Sequence, residues 1–351
     1  MPAILTLSDP GVYEHISVRY AVNELPTARV TIDNRFGRFT SASNNVAEGN
    51  DIVLSSSTDG GNTYFRAFSG SVIKKSSILA PSGRETVELS CRDDRISKLY
   101  IAFNNAVINE KDIGAAFTGS VTASDGTTWD TDSKGNHPNG LLYRSGLTYG
   151  STVSDIFPGV SDVPLIVFQR ETVFDAISRL ATAYGLDWYI SPTDSAFGLL
   201  RNEDDYPTVS GITISYGDNI NQSTLEYDNL RSFSGILIAG TPPVFWFTGS
   251  TATVAQVIDR NITNFQEATE RGREWLRLNT TSLRRGSITM PAYTFSILGK
   301  RIAVDDTLHG WTGMGDVMAV EHDILPERWT TQVSIDNVPR TPEKIYATVM
   351  Q

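Results

Sequence analysis

Four histidines, one cysteine and several acid-rich loops are the residues with chemistry to offer in this chain. An imidazole metal centre needs ligands at a short, fixed spacing, as in HExxH on one helical face. His15, His137, His309 and His322 show no such spacing. Glu321-His322-Asp323 sets three titratable groups in a row and is expected to form the polar end of a strand. Asp130-Thr131-Asp132-Ser133-Lys134-Gly135 begins like a calcium loop, in which alternating side-chain oxygens surround the cation. Lys134 stands at a ligand position, however, and Leu141 where the bidentate carboxylate belongs, so a polar surface loop is expected. Cys91 ends the alternating run Val87, Leu89, Cys91 and reads as a small buried apolar residue. No GxSxG, P-loop or strand–GxGxxG–helix pattern occurs. The expectation is a protein that is not an enzyme, with no catalytic residue, no cofactor-binding residue and no metal ligand.

Ser57-Thr58-Asp59-Gly60-Gly61-Asn62-Thr63-Tyr64 resembles the Asp-box hairpin of sialidase-type propellers. That motif folds a tight turn and cuts no sugar by itself. Propellers repeat it at blade spacing, whereas here Ser124-Asp125-Gly126-Thr127-Thr128-Trp129 is only a shortened echo at the wrong spacing. The paired carboxylates that glycoside hydrolysis requires do not stand out. A carbohydrate-binding or glycan-cleaving protein is the alternative that this motif keeps open.

The elements that would position such residues begin with Glu171–Ser191. Thr172 is placed to cap a helix, with Asp175 three residues on. Phe174, Ile177, Leu180, Ala181 and Tyr184 recur at spacings of three and four, and Gly185 supplies the stop. Leu186, Trp188 and Ile190 then alternate as a strand, which Pro192 ends. Before this unit the chain reads as β. The alternating runs are Ile16/Val18/Tyr20, Ala28/Val30/Ile32, Ile52–Leu54, Tyr64–Phe68, Gly70–Val72 and Thr86–Cys91, with a tight turn at Asp59–Asn62. Ser90–Tyr100 reads as a strand end followed by a short exposed helix or turn. Residues 105–163 are rich in Gly, Ser, Thr, Asp and Asn with poor periodicity, and Pro164–Phe168 reads as a buried strand. Strands return at Ile212/Ile214, Leu225/Tyr227, Phe233–Ile238, Ile302/Val304, Val317–Val320 and Trp329–Ile335. Gly310, Gly313 and Gly315 crowd the turn between the Ile302 and Val317 strands. A second helix is expected near Asn264–Leu278, with Phe265, Ala268, Gly272, Trp275 and Leu276 as its apolar stripe.

The chain has 351 residues, so two or three cores are expected. Its 40% hydrophobic content suits a folded protein. No run of about 18 apolar residues predicts a membrane span, and the N-terminus carries no secretory pattern. The formal charge of −11 argues against tight binding to phosphates, which takes clustered Lys and Arg.

In this order, Val173, Phe174, Ala176, Ile177, Leu180, Ala181, Gly185, Leu186 and Trp188 resemble a recurring helix–strand landmark of the bacteriophage tail baseplate hub proteins. That late-control family is also related to the hub part of type VI secretion spikes. Phe68–Val72, Gly299–Val304, Gly310–His322 and Trp329–Val333 are similar to its barrel strands. The long polar insert at 105–163 departs from the pattern.

The resemblance implies a mainly β fold with α+β insertions: two tube-like antiparallel β-barrel domains plus smaller α/β domains. The first barrel would span 1–104. A loop-rich insert and α/β domain, containing helix 172–184, would span 105–207. The second, discontinuous barrel would span 208–351, with a helical insertion at about 250–285 and a C-terminal arm. It implies a homotrimer at the tail tip or baseplate of a virion, assembled in the host cytoplasm. The ring would join the sixfold tail tube to the threefold spike or tip and let DNA pass. Its partners would be a tail tube or distal tail protein, a spike or tip protein and a tape measure protein, with no stable membrane insertion. A tail-tube or tail-tip protein of the same barrel type is a third reading, though a plain tube protein needs only one barrel.

Overall fold

The computed structural model describes residues 13–34, 37, 39, 46–56, 65–79, 83–98, 106–108, 141–142, 145–149, 166–168, 171–184, 186–192, 196–201, 206–228, 234–240, 245–249, 254–258, 265, 268–269, 272, 283–291 and 297–336. The Asp-box-like turn, its echo, the calcium-like loop, His137 and the C-terminal arm lie outside them.

The N-terminal strands are β1 (Tyr13–Ala21), β2 (Thr27–Asp33), β3 (Asp51–Ser56), β4 (Phe65–Leu79) and β5 (Glu85–Arg92). Short strands β6 (Ala106–Ile108), β7 (Thr148–Tyr149) and β8 (Ile166–Phe168) precede helix α1 (Val173–Tyr184). Then come β9 (Leu186–Ile190), β10 (Ala196–Arg201), β11 (Thr208–Ser215), β12 (Gln222–Asp228), β13 (Gly235–Ala239), β14 (Phe245–Gly249) and β15 (Val254–Ile258). The chain closes with β16 (Leu283–Pro291), β17 (Arg301–Asp306), β18 (Trp311–Leu325) and β19 (Arg328–Asp336).

The mainly β character is as expected, with one difference in architecture. The two ends of the chain share a single 11-stranded sheet, ordered β12-β16-β19-β18-β1-β2-β5-β4-β3, with β17 on β18 and β11 on β17. Among the described residues no barrel closes. β18 is long enough to serve both halves: Trp311–Asp316 pairs with β17, and Ala319–Ile324 pairs antiparallel with β1. The turn before β18 is Thr307–Gly310, where Gly310 has φ 72°. Gly313 and Gly315 lie inside the strand, not in the turn.

Alternation builds the core. In β17 Ile302, Val304 and Asp306 point in; in β5 Val87, Leu89 and Cys91 do. The runs Tyr64–Phe68 and Gly70–Val72 belong to one strand, β4, which forms the expected hairpin with β3. The segment after β5 is a turn, but a buried one: Ile96 is fully buried, as are Asp93 and Asp94. Asp93 accepts hydrogen bonds from Arg95, Asp94 pairs with Lys98, and Ser71 Oγ donates to Asp94 at 3.1 Å. Those partners are what allow a charged turn inside.

α1 forms as its sequence dictates. The Asp175 backbone N–H donates to Thr172 Oγ1 at 3.1 Å, and that hydroxyl donates to Asp175 Oδ2 at 2.7 Å. Asp175 thus holds the capping hydroxyl, where a capping box would have it reach the Thr172 backbone N–H. Val173, Ala176, Ile177 and Ala181 are buried beneath β9. Trp188 stacks on Phe197 at 5.9 Å and meets the edge of Phe174 at 5.8 Å. β9 and β10 pair antiparallel, with β7 parallel to β10. A further three-stranded sheet, β14-β13-β15, buries Ile236, Ile238, Trp246 and Val257 against Ala268. Helical residues occur at 265, 268, 269 and 272; Gly272 abuts the Trp246 ring. Phe265, expected in the apolar stripe, faces outward at 62% exposure.

Candidate functional site

The fold brings together one serine, histidine and aspartate that no local motif announces. Ser223 on β12 donates to Asp306 Oδ2 at 2.6 Å, and its oxygen lies 3.0 Å from His309 Nδ1. His309 Nδ1 is also 2.9 Å from Asp306 Oδ2, and the His309 backbone N–H donates to Asp306 Oδ1 at 3.3 Å. A nucleophilic triad uses one ring nitrogen for the carboxylate and the other for the hydroxyl. Here both partners meet Nδ1, so the imidazole cannot relay a proton between them. Burial raises the Asp306 carboxyl, but the hydrogen bonds from Ser223 and His309, with the His309 charge, hold it below its usual range. The cluster clamps the β17–β18 turn onto β12.

The other histidines stand apart. His15 on β1 pairs with Asp323 on β18. His322, expected at a polar strand end, lies mid-strand and fully buried, where Trp329 Nε1 donates to its Nδ1 at 3.1 Å and Thr331 Oγ1 sits 2.8 Å away. Burial pushes its imidazole down to about 3. Cys91 is 1% exposed and burial pushes its thiol up to about 12, so it carries no thiolate at neutral pH. Among the described residues no three His, Cys, Asp or Glu side chains gather as a metal site.

A second polar group joins the helix–strand unit to the long sheet. Asn23, at φ 61° in the β1–β2 turn, donates from Nδ2 to Asp187 at 2.6 Å and accepts from the Trp188 backbone N–H at 2.8 Å. Tyr206 donates to the other Asp187 oxygen at 2.9 Å. Nearby, Arg301 forks onto Asp316 with contacts of 2.7 and 3.2 Å. Burial holds the Asp316 carboxyl above its ordinary range; Arg301 opposes this and the Asp187 charge reinforces it. These bonds position the helix–strand unit against the long sheet.

The most extensive feature is one face of the long sheet. The register aligns Arg92, Thr27, Arg19, Glu321, Gln332, Thr289 and Gln222 in a single row across seven strands, β5 to β12. A second row runs Ser90, Arg29, Ser17, Asp323, Thr330, Pro291. None of these side chains is buried. The row between them, Cys91, Ala28, Val18, His322, Thr331, Met290, points the other way and is buried throughout. At the β12 end the polar face deepens into an open groove of about 340 Å³, lined by Thr224, Glu226, Arg285, Ser287, Ser334 and Asp336 among others. Several cations on this face are paired with carboxylates: Arg29 with Glu88 at 3.4 Å, and Arg19 with Glu321 at 3.5 Å and Glu24 at 3.4 Å, whereas among the described residues Arg92 Nε has no hydrogen-bond partner. Arg84 joins Glu14 at 2.6 Å and Asp33 at 3.5 Å; Arg328 reaches Asp323 at 3.7 Å. The sequence reading missed this face, because its rows exist only once the register is known.

No protein-family model matches the chain, and no curated protein matches it. Solved structures do. The chain is similar to the prophage MuSo2 43 kDa tail protein from Shewanella oneidensis, with a TM-score of 0.64 at 13% identity over 92% of this chain and 93% of that one. The tail protein from Neisseria meningitidis MC58 gives 0.61 at 14% identity over 93% and 92%. An E. coli component of the type VI secretion system, itself structurally similar to T4 bacteriophage tail proteins gp27 and gp5, gives 0.54 at 10% identity over 94% and 74%. The fold of this chain is therefore the one found in phage tail proteins and in type VI secretion components.

Proposed function

We propose that this chain is a structural tail protein of a virion, a baseplate hub without enzymatic turnover. Three copies form a ring that joins the sixfold tail tube to a threefold spike or tip and leaves a passage for DNA. The ring sits at the tail tip, between a tube or distal tail protein and a spike or tip protein, with a tape measure protein as a further neighbour. In this reading 1–104 and 208–351 are the two tube-like units, and 105–207 carries the insert and the helix–strand unit.

The observation that carries the reading is the likeness to tail proteins along nearly the whole chain, at 92–93% coverage on both sides for the first two. The open sheet supports it physically. β3 and β12 end its path among the described residues, and such edges are aggregation-prone unless another chain covers them. Unlike edges such as β3 and β12, with β11 ending the side branch, favour head-to-tail pairing, which closes into rings when the rotation allows.

The test is the mass of the purified full chain by light scattering, with negative-stain images of the same sample. A trimer seen as threefold rings with an open centre is expected. A chain that stays monomeric and binds glycans would overturn the reading in favour of a carbohydrate-binding tail protein.

A further inference from the structure

We infer that Ser223 Oγ, Asp306 Oδ2 and His309 Nδ1 form one face of a site for a divalent transition-metal ion, which would pin the edge strand β12 to the β17–β18 turn.

Asp306 is a buried carboxylate without a fixed counter-charge. Among the other buried aspartates, Asp93 is held by Arg95, Asp94 by Lys98 and Asp316 by Arg301. Asp306 is 0% exposed, and among the described residues its side chain meets only Ser223 and His309. Their hydrogen bonds hold its carboxyl below the ordinary range, so it keeps its charge at neutral pH. Buried charges are matched by an opposite charge or by a metal ion. A hydroxyl and a neutral imidazole supply neither.

The three donor atoms also converge. They come from β12, the end of β17 and the turn, and form a triangle with sides of 2.6, 2.9 and 3.0 Å. The hydroxyl and Nδ1 have one proton each to serve these three contacts. A cation seated on the triangle would replace the imidazole proton and satisfy all three atoms at once.

The donor set selects the ion. Ligands about 2.1 Å from one ion lie about 3.0 Å apart in an octahedron and about 3.4 Å apart in a tetrahedron. The observed sides fit the octahedron. An imidazole nitrogen beside two oxygens suits Ni²⁺ or Co²⁺ better than Ca²⁺ or Mg²⁺, which take oxygen ligands. The His309 side chain is 41% exposed, so water can reach the remaining positions. A serine as third donor sets this group apart from clusters built of His, Cys, Asp and Glu alone. It lies 86 residues from His309, so no spacing along the chain announces it.

The test is calorimetric titration of the untagged full chain with Ni²⁺. One site per chain is expected, weakened at least about tenfold by His309→Ala and unchanged by His15→Ala, which removes a histidine paired with Asp323 elsewhere on the sheet. Ser223→Ala is the smaller change and should also weaken binding, which keeps the assignment testable if His309→Ala fails to fold. Ni²⁺ should raise the unfolding midpoint of wild type and leave that of His309→Ala where it is, while Ca²⁺ and Mg²⁺ move neither. Co²⁺ should show the weak visible absorption of an octahedral ion. Four results would each overturn the inference: no uptake of Ni²⁺, uptake that survives His309→Ala or Ser223→Ala or is lost equally in His15→Ala, a midpoint that Ca²⁺ or Mg²⁺ raises as much as Ni²⁺, and the intense absorption of tetrahedral Co²⁺.

Discussion

His322 makes a quantitative prediction about pH. Its imidazole is fully buried in the row Val18, His322, Thr331, and burial lowers its pKa from 6.5 to about 3. In the folded chain it stays neutral where the unfolded chain takes up a proton. The unfolded state therefore binds more protons below pH 6.5, and stability falls as pH falls from there towards 3. One unit of difference is about 1.4 kcal/mol, so the loss from this one group is about 2 kcal/mol at pH 5 and about 3 kcal/mol at pH 4. That is a large share of a typical domain's stability. Other groups also titrate in this range, so the test is a difference. His322→Gln keeps an oxygen that can accept from Trp329 or Thr331 and removes the titration. Urea unfolding of both proteins between pH 7 and pH 4 should show wild type losing about 3 kcal/mol more than the variant. Parallel pH profiles would refute the reasoning, because a buried neutral imidazole cannot be pH-silent.

Three further substitutions probe the packing. Trp188→Ala removes a 1% exposed indole sandwiched between Phe197 and Phe174 and should cost about 3–5 kcal/mol, read by denaturant unfolding. Arg301→Leu leaves the Asp316 carboxylate buried without its forked cation and should cost about 3–5 kcal/mol at neutral pH. Because burial already raises the Asp316 carboxyl, it protonates readily, so that cost should shrink in acid; a cost that grows instead would contradict the assignment. Thr172→Ala removes the cap of α1 and should cost about 1 kcal/mol, measured as a fall in the unfolding midpoint.

The helix–strand unit was legible because its signals are local. The cap at Thr172, the spacing of Phe174, Ile177 and Ala181, and the alternation of Leu186, Trp188 and Ile190 all lie within twenty residues. The strands of both ends were legible for the same reason, as was the likeness to phage tail proteins. What escaped depends on pairing across the chain. Nothing near Ile16 says that it lies opposite Ile324, so the sheet that joins the two ends of the chain could not be read from either end alone. Ser223 and His309 met in the same way, brought together by β12 and the β17–β18 turn. Gly313 and Gly315 misled because glycine usually marks a turn. Here the backbone at Gly315 lies against the side chain of Ile335, a close approach that a Cβ would prevent.

The β1–β18 joint explains why a polar pair is buried mid-sheet. A strand's side chains alternate, so slipping β18 by one residue against β1 would exchange its two faces. Glu321 and Asp323 would enter the core, and Val320, His322 and Ile324 would emerge among Arg19, Arg29 and Glu88. Apolar residues alone give some protection against that slip. His322, Thr331 and Trp329 add more, because their hydrogen bonds form only in one register between β18 and β19. On the opposite face, the ion pair of Arg19 with Glu321 and the hydrogen bond between His15 and Asp323 fix the same register between β1 and β18. Weak surface pairs contribute little to stability. As a set repeated across strands, they make the slipped alternative lose on both faces at once. The joint is where this matters most, since a slip there would break the continuity of the polar face between the two ends of the chain.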